Sequence, residues 1–355
     1  MNIRGIGTAV PPNQVDQAEA ALLSERVSAR DNNKTALVQR ILRRTQVQSR
    51  ASVLASSKSN EPLSFYGKES PSTAARMAQF SRHAAPLALA SVACALTDSQ
   101  IAAAQITHLV TVCCTGFQSP GFDLALIKQL GLDAGVQRTH VGFMGCHGAL
   151  NGLRVARAFV EADADAVVLL CAVELCSLHL YYGWDPEKVV ANSLFADGAA
   201  SLVATADMCG AGSFPILLAS GSTVLPNTEE LMYWQIGNHG FEMGLSPQVP
   251  EAVASQLKPW LERWLKSRGF SIAEIVSWAV HPGGPRLLQA CANALELEPD
   301  QIAESQAVLR EHGNMSSATV LFIINRLRHL AASGPCLALA FGPGLSVEVA
   351  LLLIP

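Results

Sequence analysis

Phe143-Met144-Gly145-Cys146-His147-Gly148-Ala149-Leu150-Asn151-Gly152-Leu153-Arg154 is a turn of small residues that opens directly into an apolar-periodic segment. Leu150, Leu153, Ala156 and Val160 fall at approximate helical spacing, which predicts a helix over 149–161 starting near Cys146. The apolar run Val167-Val168-Leu169-Leu170-Cys171-Ala172-Val173 comes next. It shows little period-2 alternation, as expected of a strand covered on both faces. The same succession recurs along the chain. Strands are predicted at 107–112, 166–173, 199–205, 275–280, 336–341 and 347–354. Helices are predicted at 72–96, 122–130, 149–161, 250–267, 285–295 and 316–332. This alternation indicates an α/β protein.

Two further polar residues occupy the setting that Cys146 occupies. His281 follows Ile275-Val276-Ser277-Trp278-Ala279-Val280 and precedes Pro282-Gly283-Gly284, and Asn314 lies in His312-Gly313-Asn314-Met315-Ser316-Ser317. A thiol, an imidazole and a carboxamide, each at a Gly-flanked junction, point to a Cys/His/Asn acyl-transfer site. A thiol at a helix N-terminus meets unsatisfied N–H groups and the positive end of the dipole, which favour the thiolate nucleophile. His281 would pair with that thiolate or donate to a developing oxyanion, and Asn314 is a donor that stays neutral. Each residue has a plainer reading: a buried small hydrophobe, a histidine after a strand, a helix N-cap. His147 is a second candidate base, although neighbours on a helix point about 100° apart. Papain-like proteases also combine Cys, His and Asn, but there the Cys opens the mature domain and disulfides brace the fold.

Half of the 355 residues are hydrophobic, only 15% are charged, and the formal net charge is -4. That composition supplies a large core and argues against disorder and against electrostatic capture of nucleic acid or anionic membrane. The N-terminus lacks a signal-peptide layout and no apolar run spans a bilayer, so a cytoplasmic protein without membrane insertion is expected. Nine cysteines without paired spacing argue against a disulfide framework and against a zinc site. No metal is expected.

From Asn32 to Asn60 there are six cations and no acid, and Arg40 and Arg44 would share a helix face. Such a segment suits either a phosphorylated ligand such as coenzyme A or a solvated surface. Residues 51–62 read as a polar loop. Phe341-Gly342-Pro343-Gly344 follows a strand and precedes another, so it reads as a tight turn and not as a dinucleotide fingerprint.

Gly145-Cys146-His147-Gly148, Ala279-Val280-His281-Pro282-Gly283-Gly284-Pro285, Gly313-Asn314-Met315-Ser316-Ser317-Ala318 and Phe341-Gly342-Pro343-Gly344 resemble the type III polyketide synthases, the chalcone/stilbene synthase superfamily. Leu194-Phe195-Ala196-Asp197-Gly198 and Ile236-Gly237-Asn238-His239-Gly240-Phe241-Glu242-Met243 match it too, and Met232-Tyr233-Trp234 resembles the bacterial branch. The resemblance implies a thiolase-like fold, two similar halves in a five-layered αβαβα arrangement, and a homodimer. The halves are expected at 1–208 and 209–355, with a break near 208–213. It implies iterative decarboxylative condensation of malonyl-CoA onto an acyl-CoA starter, with no cofactor beyond these substrates. Cys146 would carry the acyl chain, and His281 and Asn314 would bind the malonyl thioester and stabilise its enolate. Phe195 and Phe241 would be gatekeepers, Arg40 and Arg44 would meet coenzyme A, and Cys114, Ser119, Gly283 and Ser316 would complete the substrate site. His147 stands where plant members carry Phe, and Ser119 stands where they carry a bulky Met. A medium- or long-chain fatty acyl starter, giving an alkylpyrone or alkylresorcinol, is therefore expected. An initiating ketoacyl-acyl carrier protein synthase and a silent thiolase-fold partner are the rival expectations.

Overall fold

The computed structural model describes residues 1–28, 32–54, 65–206, 214–330 and 333–355. In chain order the elements are β1 (Asn2–Ala9), β2 (Gln14–Asp16), α1 (Gln17–Ser28), α2 (Asn32–Arg44), β3 (Ser49–Ala51), α3 (Thr73–Ser99), β4 (His108–Cys113) and α4 (Phe122–Leu130). Next come β5 (Gln137–Gly142), α5 (Gly148–Ala162), β6 (Val167–Leu175), α6 (Pro186–Leu194), β7 (Asp197–Thr205) and β8 (Ile216–Val224). The chain ends with β9 (Met232–Gly237), β10 (Gly240–Leu245), α7 (Val249–Lys266), β11 (Ser277–Val280), α8 (Pro285–Leu295), α9 (Ala303–His312), α10 (Thr319–Leu327), β12 (Gly334–Gly342) and β13 (Ser346–Ile354).

Nine strands form one mixed sheet in the order β11-β12-β13-β8-β1-β7-β6-β4-β5. β4 runs parallel to β5 and β6, β11 runs parallel to β12, and the other neighbours are antiparallel. β1 and β8 meet through the single pair Asn2 and Ile216, so the sheet falls into two blocks. Side-chain alternation sorts each block between two cores. Val110, Val112, Val168 and Leu170 face a central core with α5 and α10, which Ala338 and Ala350 of the other block also enter. Leu109, Leu169 and Cys171 face α3 and α4. Leu337, Leu339 and Val349 face α7 and α8. The layers are thus α, β, α, β, α, with α5 and α10 innermost. Apolar residues on both faces explain the strands' lack of polar alternation.

All six predicted strands and all six predicted helices are present within a few residues. The 316–332 helix differs at its start: a 3-10 turn at Ser316–Ala318 precedes α10, and residues 331–332 lie outside the described ones. The expected break near 208–213 and most of the 51–62 loop also lie outside the described residues. β1, β5 and β8 were not evident from sequence. β1 carries Gly5 and Gly7, where a Cβ would come within 2.5 Å of the α3 backbone, so α3 lies directly upon it.

Candidate active site

Cys146 sits between β5 and α5, in the central layer. Gly145 holds φ +83, and a Cβ there would lie 2.4 Å from Pro343 Cδ, so only glycine lets the Cys146 turn pack against the β12–β13 turn. α5 begins at Gly148, with His147 as its N-cap. Cys146, His281 and Asn314 are 8%, 1% and 1% exposed.

Asn314 is placed by backbone pairing with the loop after α6: its N–H donates to Leu194 O at 2.8 Å and its C=O accepts from Ala196 N at 2.9 Å. Its Oδ1 accepts the Ser316 N–H at 2.8 Å, which orients the carboxamide. The expected capping role and a free amide therefore coexist, because Nδ2 has no protein partner. His281 is fixed at the end of β11 by its N–H to Leu339 O at 2.8 Å, and both of its ring nitrogens lack partners. Buried polar groups are ordinarily satisfied, so three orphaned nitrogens are an unfilled demand for an acceptor or donor.

Burial dominates the protonation states. It pushes the Cys146 thiol up to about 12; the Ser316 and Asn314 side chains pull it down and Glu174 adds to the rise. It pushes His281 down to about 3, and His147 adds to that. The helix-terminus expectation of a resting thiolate is thus outweighed by desolvation. No hydrogen bond joins His281 to Cys146. Burial therefore favours a thiol and a neutral imidazole at this site.

Cys146 lines a narrow cavity of about 50 Å³ with Cys114, Ser316, Phe195 and Phe241, which the sequence had singled out. Phe195 pairs with Asn314 through the backbone, in parallel orientation. Cys114 Sγ accepts the Gly145 N–H at 3.1 Å. Other predicted residues lie elsewhere. Ser119 is exposed before Pro120, and Arg40 and Arg44 are exposed on α2. Gly283 N–H donates to His281 O at 3.1 Å, off the cavity wall.

Sequence reasoning did not single out Glu174 or His179, and took Trp234 only as part of a family motif without a place in the site. Glu174 is fully buried and accepts from Cys114 N at 3.1 Å, Thr115 Oγ1 at 2.8 Å and Ser317 Oγ. Burial raises its carboxyl to about 7. A lone acid at the end of the apolar run 167–175 was the available signal. His179 stacks on Phe241 at 4.3 Å, accepts its N–H at Nδ1 and meets Thr115 O through Nε2 at 2.8 Å, which fixes the tautomer. Trp234 Nε1 donates to Cys114 O at 2.7 Å, closing the cavity under Phe241.

A layered αβαβα fold with a buried cysteine, histidine and asparagine is the arrangement expected of a thiolase-like condensing enzyme. The structure superposes on a polyketide synthase, PKS-I, from the brown alga Ectocarpus siliculosus with TM-score 0.93 at 29% identity, covering 99% of this chain and 98% of that one. It superposes on 1,3,6,8-tetrahydroxynaphthalene synthase from Streptomyces coelicolor with TM-score 0.90 at 27% identity, covering 100% and 99%. Residues 1–208 match the N-terminal domain, and residues 216–354 the C-terminal domain, of chalcone and stilbene synthases. The chain is 32% identical to the alpha-pyrone synthesis polyketide synthase-like Pks18 of Mycobacterium tuberculosis, over 98% of this chain and 89% of that protein. It is 31% identical to 1,3,6,8-tetrahydroxynaphthalene synthase of Streptomyces peucetius, over 99% and 92%. The chain belongs to the chalcone and stilbene synthase family. It is a type III polyketide synthase, an acyltransferase that condenses acyl-CoA with malonyl-CoA iteratively.

Proposed function

We propose that Cys146 is the acyl carrier and that His281 and Asn314 bind the thioester carbonyl of malonyl-CoA. The orphaned His281 ring nitrogens and Asn314 Nδ2, buried in the same interior as Cys146, carry this assignment. As the starter thioester arrives, the neutral His281 takes the Cys146 proton and the sulfur attacks the carbonyl. The tetrahedral intermediate expels the coenzyme A thiolate, which recovers the proton from His281. On malonyl-CoA, Asn314 Nδ2–H and a His281 N–H donate to the thioester oxygen. They absorb enolate charge as the carbon–carbon bond to CO₂ breaks. The enolate carbon then attacks the acyl–Cys146 thioester, and the Cys146 thiolate departs.

Phe195 and Phe241 gate the cavity, with Cys114 and Ser316 on its wall. Arg40, Arg44, Gly283 and Ser119 remain proposed contacts to coenzyme A, backbone or starter that this single chain does not bring to the cavity. We assign a fatty acyl starter and an alkylpyrone product. The apolar wall supports this, since each buried methylene contributes roughly 0.8 kcal/mol. The name of the mycobacterial relative points to the same product class.

The division at 208 and 209, cytoplasmic residence and a homodimer complete the proposal. No helix among the described residues is long and apolar enough to cross a membrane. β5 is a sheet edge beside exposed Phe117 and Met144, a surface suited to a second copy. Light scattering should give twice 37.6 kDa. Mass spectrometry of products from malonyl-CoA and a mixed acyl-CoA pool tests the chemistry. Alkylpyrones should appear together with an acyl adduct on Cys146. Product formed without that adduct would remove Cys146 from its role, and a preference for benzoyl- over octanoyl-CoA would overturn the starter assignment.

A further inference from the structure

His147 directly follows Cys146, yet its buried ring turns from the cavity into a polar network. Nδ1 lies 2.6 Å from Asn151 Oδ1, while Asn151 Nδ2 donates to Glu348 Oε1 at 3.0 Å. Asn151 therefore presents an oxygen that only accepts, and Nδ1 carries a hydrogen. Nε2 lies 2.6 Å from Ser346 Oγ, which is itself 2.9 Å from Pro343 O. Ser346 has one hydroxyl proton. With Nε2 bare, that proton goes to the ring. With Nε2 protonated, Nε2–H donates to Oγ and the hydroxyl is free to hold the Pro343 carbonyl.

The turn so controlled is a wall of the active site. Pro343 lines the cavity and presses on Gly145. Gly342 is moulded to the ring, since a Cβ there would come 2.3 Å from His147 Cδ2. The groups bearing on His147 come from four elements. They are Asn151 and Arg154 on α5, Ser346 and Glu348 on β13, Ser222 on β8 through Glu348 at 2.7 Å, and His281 beyond β11. Glu348 is buried and also accepts from Arg154 at 3.1 Å. Burial lowers the ring from its ordinary value, Asn151 and Glu348 pull it back up, and Arg154 lowers it.

We propose that His147 is a positioning residue that ties the Cys146 turn to the Pro343–Ser346 turn, and that gaining a proton resets both that tie and the field at Cys146 and His281. This rests on Cys146 being the acyl carrier. It is tested with the full-length enzyme, His147→Phe and Ser346→Ala. Iodoacetamide alkylation of Cys146, located by peptide mass spectrometry, is followed from acid to alkaline pH beside condensation kinetics. The wild-type rate profile should show an acidic inflection in addition to that of the thiol. His147→Phe should lose it and Ser346→Ala should keep it. Both should lower kcat by about tenfold with little change in KM, as expected of a displaced reacting group. An unchanged profile and kcat in a folded His147→Phe would overturn the inference. If that variant does not fold, Ser346→Ala decides, and an unchanged kcat there overturns it. A wild-type enzyme no more active than Cys146→Ala would instead sink the acyl-carrier reading.

Discussion

Burial disfavours the charged forms of both the Cys146 thiol and the His281 imidazole, so in the proposed mechanism the nucleophile is generated when substrate arrives. In that mechanism decarboxylation needs no thiolate. Cys146→Ala should therefore abolish condensation yet still release CO₂ from malonyl-CoA, measured with labelled substrate; complete loss of CO₂ would contradict the division of labour. Asn314→Ala removes one enolate donor and should slow decarboxylation on the order of a hundredfold. Wild-type decarboxylation in that variant would exclude Asn314. Cys146, His281 and Asn314, the proposed site, could be picked out in sequence because each combines unusual chemistry with glycine flanks. Glu174 and His179 were not. A lone acid or histidine acquires meaning only from Ser317, Thr115 and Phe241, residues brought to it from distant segments.

Elements were legible in proportion to their burial. β4, β6, β7, β12 and β13 are apolar on both faces and announce themselves. β5 is a polar edge strand whose residues are mostly half-exposed or exposed, so its pattern resembles a loop. β1 is concealed by the glycines that admit α3. The turn carrying Cys146 depends on another glycine, and here a direct test is available. Gly145→Ala would place a methyl against Pro343 at a positive φ, which strains both the backbone and the β12–β13 turn. The expected cost is about 1–3 kcal/mol in denaturant unfolding, with condensation falling at least tenfold through displacement of Cys146. Retention of both wild-type stability and activity would mean that the turn adapts freely.

At the scale of the whole molecule, family and layering were readable because the motifs span the chain in order, whereas the seam between sheet blocks at Asn2 and Ile216 rests on one backbone pair that no sequence pattern marks. A core this apolar also makes stability depend on the few titratable groups inside it. Glu174 and Asp197, raised to about 7 and about 6 by burial, favour the folded state at low pH and lose that contribution as pH rises. His281 acts in the opposite sense. Its folded value, about 3, lies below the ordinary histidine value of 6.5. As pH falls below 6.5 the unfolded chain takes up a proton that the folded chain refuses, so stability present at neutral pH is lost on acidification. At about pH 5 the loss amounts to about 2 kcal/mol for this one residue. Substituting His281→Gln removes that titration while Glu174, Asp197 and His179 remain in both proteins and cancel. The fall in Tm between about pH 7 and pH 5 should therefore be smaller in His281→Gln than in wild type by a few degrees. Calorimetric scans at matched ionic strength measure it. An equal fall in the two proteins would mean that His281 does not stay neutral in the folded state, and the neutral-imidazole start of the acyl-transfer step would fail with it.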